Sequence, residues 1–370
     1  MICANFFVLL CRFLIKDMQN NAEYRILLTG SGAPGVQGTL YSLRALGAFI
    51  IGTDTDSEAV GKYLCDAFFV IPPARDAERY LACLKEICER EHIDVIVPQN
   101  TAELDLLARN TSSFATIGTK IMVSGADSIA RANNKYELLL CASQLGIRTG
   151  EFCLCSDYAS LVRETEARRA RGLYTVVKPP CGNGSRGVRA IVDESARDRK
   201  NDFYTQKPSA LYCTLGELHA ILGDNFPELL VMDYLEGDEY TVDVLRTEEQ
   251  FVALPRKREV MRSGITFRAS LEKNEEIIRA AELLAEALDL RYCFGFQFKK
   301  DGQGRPVLLE CNPRVQGTMV MSTMAGANII AASVRSLTGM KQEEISIDWN
   351  TRLVRYWGAI GVNEKGVERI

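Results

Sequence analysis

The stretch Phe294–Gly317, FGFQFKKDGQGRPVLLECNPRVQG, decides how this 370-residue chain is read. It is two short strands, FGFQFKK and PVLLE, joined by the polar turn Asp301-Gly302-Gln303-Gly304. Side chains alternate faces along a strand, so Gln297 and Glu310, opposed on the hairpin, project from one face. Asn312 follows two residues on. Three convergent side-chain oxygens suit a hard divalent cation such as Mg²⁺, which leaves the rest of its shell for water or phosphate. Arg314 comes next, a planar cation suited to a phosphate or carboxylate beside that metal. Alone, the segment reads equally well as a surface hairpin with a polar exit, and the rest of the chain has to decide.

From Tyr24 onward the pattern is βαβ. The strand Arg25–Gly30 enters the glycine-rich turn Gly30–Gly38, a helix runs through Leu46, and a second strand ends at Asp54. A strand AFFVIP, a helix Ala77–Arg90 and a strand DVIVPQN follow. Alternating short apolar strands and helices indicate a parallel sheet with right-handed crossovers. Gly30-x-Gly32-x-x-Gly35 with Asp54 has the outline of a dinucleotide fingerprint. The same glycines serve equally for a tight turn and close strand–helix approach, so an NAD(P)-binding oxidoreductase is kept as the alternative.

A second region opens with Asn133-Asn134-Lys135-Tyr136, the start of a helix continuing to Leu145. After a charge-rich helix at Asp157–Arg171, the strand TVVKP ends in Lys178. The loop CGNGSRGVRA (Cys181–Ala190) leads into another strand, forming a flap whose backbone N–H groups can fold over phosphates, with Arg186 adding charge. Between flap and metal hairpin lies LLVMDYLEGDEYTVDVL (Leu229–Leu245), two strands flanking Leu235-Glu236-Gly237-Asp238. The first offers backbone to an adenine edge, and Glu239 can accept from ribose hydroxyls. Read locally, the same residues make a plain hairpin with an acidic turn. In ALPRKREVMRSG (Ala253–Gly264), Arg256 and Arg258 share a face, for charge compensation of a triphosphate or anionic substrate, or as a solvated edge strand.

In this order the pieces resemble the ATP-grasp superfamily, most closely the ATP-binding unit of the carbamoyl-phosphate synthetase large chain and its stand-alone relatives. The motifs that carry the resemblance are Asn134-Lys135, Lys178 with its flap, Tyr234-Leu235-x-Gly237-x-Glu239, and Gln297…Glu310-x-Asn312-x-Arg314. The resemblance implies an α/β and α+β fold, a Rossmann-like parallel-sheet domain followed by a two-subdomain ATP-grasp fold. It places an extension at 1–22, the N-terminal domain at 23–124, the ATP-grasp domain at 125–345 (lid subdomain about 147–232, metal subdomain about 233–345) and a tail at 346–370. It implies that Lys135 and Lys178 hold phosphates, and that Gly182, Gly184, Ser185 and Gly187 belong to the lid. Met232, Asp233 and Leu235 would meet adenine and Glu239 the ribose. Gln297, Glu310 and Asn312 would bind Mg²⁺ (or Mn²⁺), and Arg314, with Lys178 and Arg258, would act on the transferred group. The implied activity is an ATP-dependent carboxylate–amine (or thiol) ligase working through an acyl phosphate. A non-catalytic ATP-binding regulatory module is the third reading. One grasp unit without a glutaminase portion argues against carbamoyl phosphate synthesis itself.

Composition sets outer bounds. A net charge of −4 with no long basic run gives no electrostatic case for nucleic acid. Twelve scattered cysteines without a C-x-x-C pair, and two histidines, do not make a zinc site. They read as reduced thiols in a cytoplasmic protein. The apolar run Ala4–Ile15 is broken by Arg12 and falls short of a bilayer span of about 20 residues. A membrane-surface helix, or a natural start at Met18, both account for it. Expected partners are small-molecule carboxylate and amine substrates, with a homodimer left open. The charged segment 193–212 has no assigned role.

Overall fold

Ile26, Leu27, Leu28, Ile50, Ile51, Ile96 and Val97 are wholly buried, as near-continuous apolar strands must be when helices cover both faces of a parallel sheet. The computed structural model describes residues 24–182, 184, 186–193, 211–262, 264–364 and 366–369. The extension 1–22, Ser185 and the bulk of the charged segment, 194–210, lie outside the described residues.

The first sheet contains β1 (Arg25–Leu28), β2 (Phe49–Asp54), β3 (Ala67–Val70), β4 (Val95–Val97) and β5 (Lys120–Ile121). They pair in parallel in the order β3-β2-β1-β4-β5, the expected Rossmann-like arrangement. The Ala77–Arg90 helix turns Tyr80, Leu84, Ile87 and Cys88 inward at helical spacing.

A second, mostly antiparallel sheet follows. Its strands are β6 (Phe152–Asp157), β7 (Thr175–Lys178), β8 (Arg189–Ile191), β9 (Tyr212–Cys213) and β10 (Asn225–Asp233), ordered β6-β10-β7-β8-β9. The third sheet holds β11 (Glu239–Arg246), β12 (Phe251–Arg262), β13 (Ile265–Leu271), β14 (Tyr292–Lys300), β15 (Pro306–Asn312) and β16 (Arg352–Val354). Its order is β15-β14-β11-β12-β13-β16, antiparallel throughout. A hairpin of β17 (Ile360–Asn363) and β18 (Gly366–Arg369) ends the described chain.

The two-residue period of the third sheet creates the cleft. On β14, Phe294, Phe296 and Phe298 pack with Ile277, Ala281 and Leu284 of the Glu275–Ala287 helix. Gly295, Gln297 and Lys299 therefore take the opposite face. On β11 the split is Tyr240, Val242 and Val244 against Glu239, Thr241 and Asp243.

Three sequence readings are corrected. Leu229–Leu245 is not a hairpin, since β10 and β11 belong to different sheets. The strand carrying Arg256 and Arg258 is not an edge, because β12 lies between β11 and β13. The tail assigned to 346–370 contributes β16, which pairs with β13, so the third sheet runs beyond residue 345. Among the described residues, no helix is long and apolar enough to cross a membrane.

Arg256 does not face an anionic ligand. It is 1% exposed and grips Asp243, itself fully buried, through Nε at 2.7 Å and Nη2 at 2.9 Å. Ser322 donates to the same carboxylate at 2.8 Å. Removing one member of such a pair strands a charge in low dielectric, whereas removing both does not. Arg256→Met should therefore lower unfolding free energy by about 3–5 kcal/mol in urea titration. Adding Asp243→Leu should recover most of that loss, and a double variant weaker than Arg256→Met would refute the account.

Candidate active site

The metal hairpin forms in the register its alternation requires. Gln297 lies opposite Glu310 and Gly295 opposite Asn312. The next pairing is Phe298 with Leu308, so Leu309 is an extra residue on β15. Its carbonyl accepts from Lys178 Nζ at 3.2 Å. Lys178 thus points at the metal hairpin and not along the flap.

Lys135 reaches the same place from another element. Asn134 caps the Lys135–Gln144 helix, its side chain accepting from the N–H groups of Tyr136 and Glu137. The Lys135 backbone donates to Pro180 O at 2.9 Å. Its Nζ donates to Gly182 O at 2.6 Å and lies 3.8 Å from Glu310 Oε2. Both lysines are 6% exposed. Burial pushes the Lys178 ammonium down to about 8, with Lys135 reinforcing the shift and Glu310 and Glu239 opposing it.

One carboxylate and two amides, Glu310, Gln297 and Asn312, form the cradle. Among the described residues no group of three or more His, Cys, Asp or Glu is placed to hold a metal ion. An oxygen set with a single formal charge fits Mg²⁺ that arrives with its own anionic phosphates, better than a bare ion.

The nucleotide corner is only partly as the sequence suggests. Met232 is buried in β10 and Leu235 is half-buried in the link to β11. Asp233 is a brace: its carboxylate accepts from Arg168 Nε and from Glu151 N, both at 3.2 Å, and Arg168 is 2% exposed. The adenine role of Asp233 is therefore left to its backbone. Glu239 is already ion-paired with Arg258. Arg258 also donates to Thr266 Oγ1 at 3.0 Å and Gly264 O at 2.6 Å, so it anchors β13 and is not aimed at a transferred phosphoryl group. In the flap, Gly182, Gly184 and Gly187 have φ of 129°, 64° and 75°, backbone space that side chains disfavour.

Arg314 lies on one wall of a cavity of about 490 Å³, facing the glycine turn of the first sheet. Its Nε donates to Thr101 Oγ1 at 2.8 Å, and burial lowers its pKa against the pull of Glu310 and Glu103. Asp54, Asp56 and Glu58 line the same cavity. Both oxygens of Asp54 hold the turn together, accepting from Gly32 N at 2.7 Å and Asp56 N at 3.1 Å. A Cβ on Gly35 would lie 2.3 Å from Gly317 Cα, so that glycine permits contact between the turn and the loop following Arg314. The dinucleotide outline is accounted for by packing. Thr101, the first residue of the Thr101–Arg109 helix, and Glu103, which forms its capping box with Asn100, escaped the sequence reading, although Asn100-x-x-Glu103 is a recognisable signature.

Residues 225–356 match the family model "ATP-grasp in the biosynthetic pathway with Ter operon", and residues 26–122 match "PylC-like, N-terminal domain". A 153-residue stretch is 29% identical to an uncharacterized protein, y4rH, of Sinorhizobium fredii. That match covers 40% of this chain and 29% of y4rH, so it spans less than a third of that relative. N5-carboxyaminoimidazole synthetase from Staphylococcus aureus, complexed with ADP, superposes with a TM-score of 0.64 at 17% identity, over 88% of this chain and 80% of that one. Biotin carboxylase from Campylobacter jejuni, in an ATP complex, gives 0.65 at 17%, over 90% and 75%. L-amino acid ligase from Bacillus licheniformis gives 0.61 at 13%, over 86% and 75%. The chain has the ATP-grasp fold, and the region in front of it, residues 26–122, is similar to a PylC-like N-terminal domain.

The state of Lys178 predicts an unusual pH dependence of stability. Its folded pKa is depressed below the unfolded value, so between the two the unfolded chain binds more protons and stability rises with pH. Lys178 should therefore contribute stability that grows between pH 8 and about 10.5 in the metal-free, nucleotide-free protein, against the opposite trend of the buried thiols, whose raised pKa values cost stability as pH rises. Lys178→Met should flatten that rise and be more stable than the parent at pH 7. Urea titrations across this range, in EDTA, check both. Identical slopes in parent and variant would rule out a desolvated Lys178 ammonium.

Proposed function

We propose that this ATP-grasp chain is an ATP-dependent carboxylate–amine (or thiol) ligase forming ADP and phosphate through an acyl phosphate. The observation that carries the reading is the meeting of Lys135 and Lys178, from a helix and a strand of different origin, at Glu310 in the register-fixed cradle. Two desolvated ammonium groups beside one carboxylate leave an excess of positive charge. A triphosphate is a ligand that balances it.

A carboxylate is a poor electrophile because its carbonyl is electron-rich and its leaving group bad. Transfer of the γ-phosphoryl converts it to an acyl phosphate and releases ADP. Attack by the amine then forms the amide, expels phosphate and releases the amine proton. Gln297, Glu310 and Asn312 would hold Mg²⁺, or Mn²⁺, which neutralises developing charge on the phosphoryl oxygens when bound. Lys178 and Lys135 fix the phosphates, and Arg314 holds the acceptor carboxylate or acyl group. Closing the Gly182–Gly187 flap keeps water from the intermediate.

The cavity between Arg314 and the glycine turn is the natural place for the second substrate. Its wall of Asp54, Asp56 and Glu58 favours a ligand carrying an amine, and Arg314 opposite favours a carboxylate. An amino acid offers both, in keeping with the amino acid ligase among the structural neighbours. A reducing, cytoplasmic setting suits the thiols, of which buried Cys88 and Cys293 and half-buried Cys65 are pushed up to about 12 by desolvation and so stay protonated.

MgATP should raise the melting temperature, and ADP release should appear when amino-acid and carboxylate pools are supplied, both abolished by EDTA. Lys178→Ala should lose the nucleotide shift. Glu310→Gln should stay folded and lose turnover by on the order of a hundredfold or more. ADP formation at the parental rate by a folded Glu310→Gln protein would sink the assignment.

A further inference from the structure

We infer that Arg355 is a positioning residue that clamps the glycine turn of the first sheet to the loop carrying Arg314, keeping the two walls of the substrate cavity aligned. The inference rests on the ligase reading for its effect on turnover, but not for the geometry. Arg355 follows β16, with its backbone fixed by donation to Phe267 O at 2.8 Å. Its guanidinium then reaches three parts of the chain far apart in sequence. Nη1 donates to Pro34 O at 3.3 Å, in the glycine turn. Nη2 donates to Gly317 O at 2.9 Å and Thr318 Oγ1 at 3.5 Å, in the loop after Arg314. Nε donates to Thr266 O at 3.2 Å on β13, whose hydroxyl accepts from Arg258, the partner of Glu239.

The chemistry of these acceptors makes the arrangement informative. They are three carbonyls and a hydroxyl, and among the described residues no carboxylate is ion-paired with Arg355. Burial and the nearby Arg256 both lower its pKa. A partly desolvated cation without a counter-ion weakens the fold, so its presence is explained by what the planar fork holds. A lysine has a single nitrogen and cannot bridge three separated acceptors at once. The turn and loop meet with no side chain between them, since Gly35 abuts Gly317. Pro34 is next to Ala33, and Gly317 is three residues from Arg314; Ala33 and Arg314 both line the cavity. A slip at this seam would move the acceptor wall against Arg314, while Lys135, Lys178 and the metal hairpin, on other elements, would stay in place.

The test uses Arg355→Lys, which keeps the charge, and Gly35→Ala, which disturbs the same seam from its other side. Hydrogen exchange without ligand should show the amides of Gly30–Gly38 and Arg314–Thr318 losing protection together in both variants. ADP release is measured with MgATP and an equimolar mixture of the twenty L-amino acids, or water alone, as acceptor. Turnover should fall at least tenfold while the KM for MgATP, and its thermal shift, stay within about twofold. Unchanged exchange in the two loops would overturn the clamp, as would turnover and MgATP affinity falling in parallel. A parent protein that neither binds MgATP nor releases ADP would refute the ligase reading, and the exchange experiment would still decide the clamp.

Discussion

Desolvated positive charge is the constraint around which this molecule is arranged. Lys135, Lys178, Arg314 and Arg355 are all wholly or partly withdrawn from water near the junction of the three sheets, and among the described residues only Lys135 of these four has an ion-pair partner, Glu310. Elsewhere the chain neutralises its buried cations: Arg256 has Asp243, and Arg168 has Asp233 and Glu164. The contrast separates two uses of a buried cation. Paired arginines hold elements together, whereas Lys178 and Arg314, with Lys135 sharing its one carboxylate with the cradle, mark where an anion is expected.

Backbone regularity makes that charge distribution achievable. The two-residue alternation of β11 and β14 divides an apolar from a polar face. The exception is on β15, where one extra residue turns the Leu309 carbonyl toward Lys178. A regular ladder would spend that carbonyl on β14. Here it offsets part of the cost of burying an ammonium, and the irregularity sits beside the metal cradle, where re-aiming a group has most effect.

Much of this was legible from the chain alone, and the reasons are local. Helix Ala77–Arg90 and the pairing of Gln297 with Glu310 follow from periods of 3.6 and 2 within short windows. Lysine positions at a capped helix start and a strand end are also local signals. What escaped depends on pairings far apart in sequence. Whether β12 is an edge is decided by β13, and whether residues 352–354 are a tail is decided by the same strand. Arg256 and Arg258 look alike in sequence, yet one is buried on Asp243 and the other braces Glu239. Gly35 resembled a phosphate-binding glycine until its neighbour, nearly three hundred residues away, was known to be Gly317. A glycine records only that space is short, and not what fills it.

The link between the second and third sheets has a mechanical consequence of its own. Gly237 N donates to Lys300 O at 3.2 Å, and a Cβ there would lie 2.5 Å from that oxygen. One residue of the connector is thus stitched to the end of β14, with Lys300 N returning a bond to Asp238 O at 2.9 Å. On the other side Tyr234 N donates to Tyr174 O at 2.8 Å, so Leu235 and Glu236 are the stretch between the second sheet's last bond and this stitch. The link is thus short and tied at both ends, so a ligand seated against it would press on the ends of the second and third sheets together.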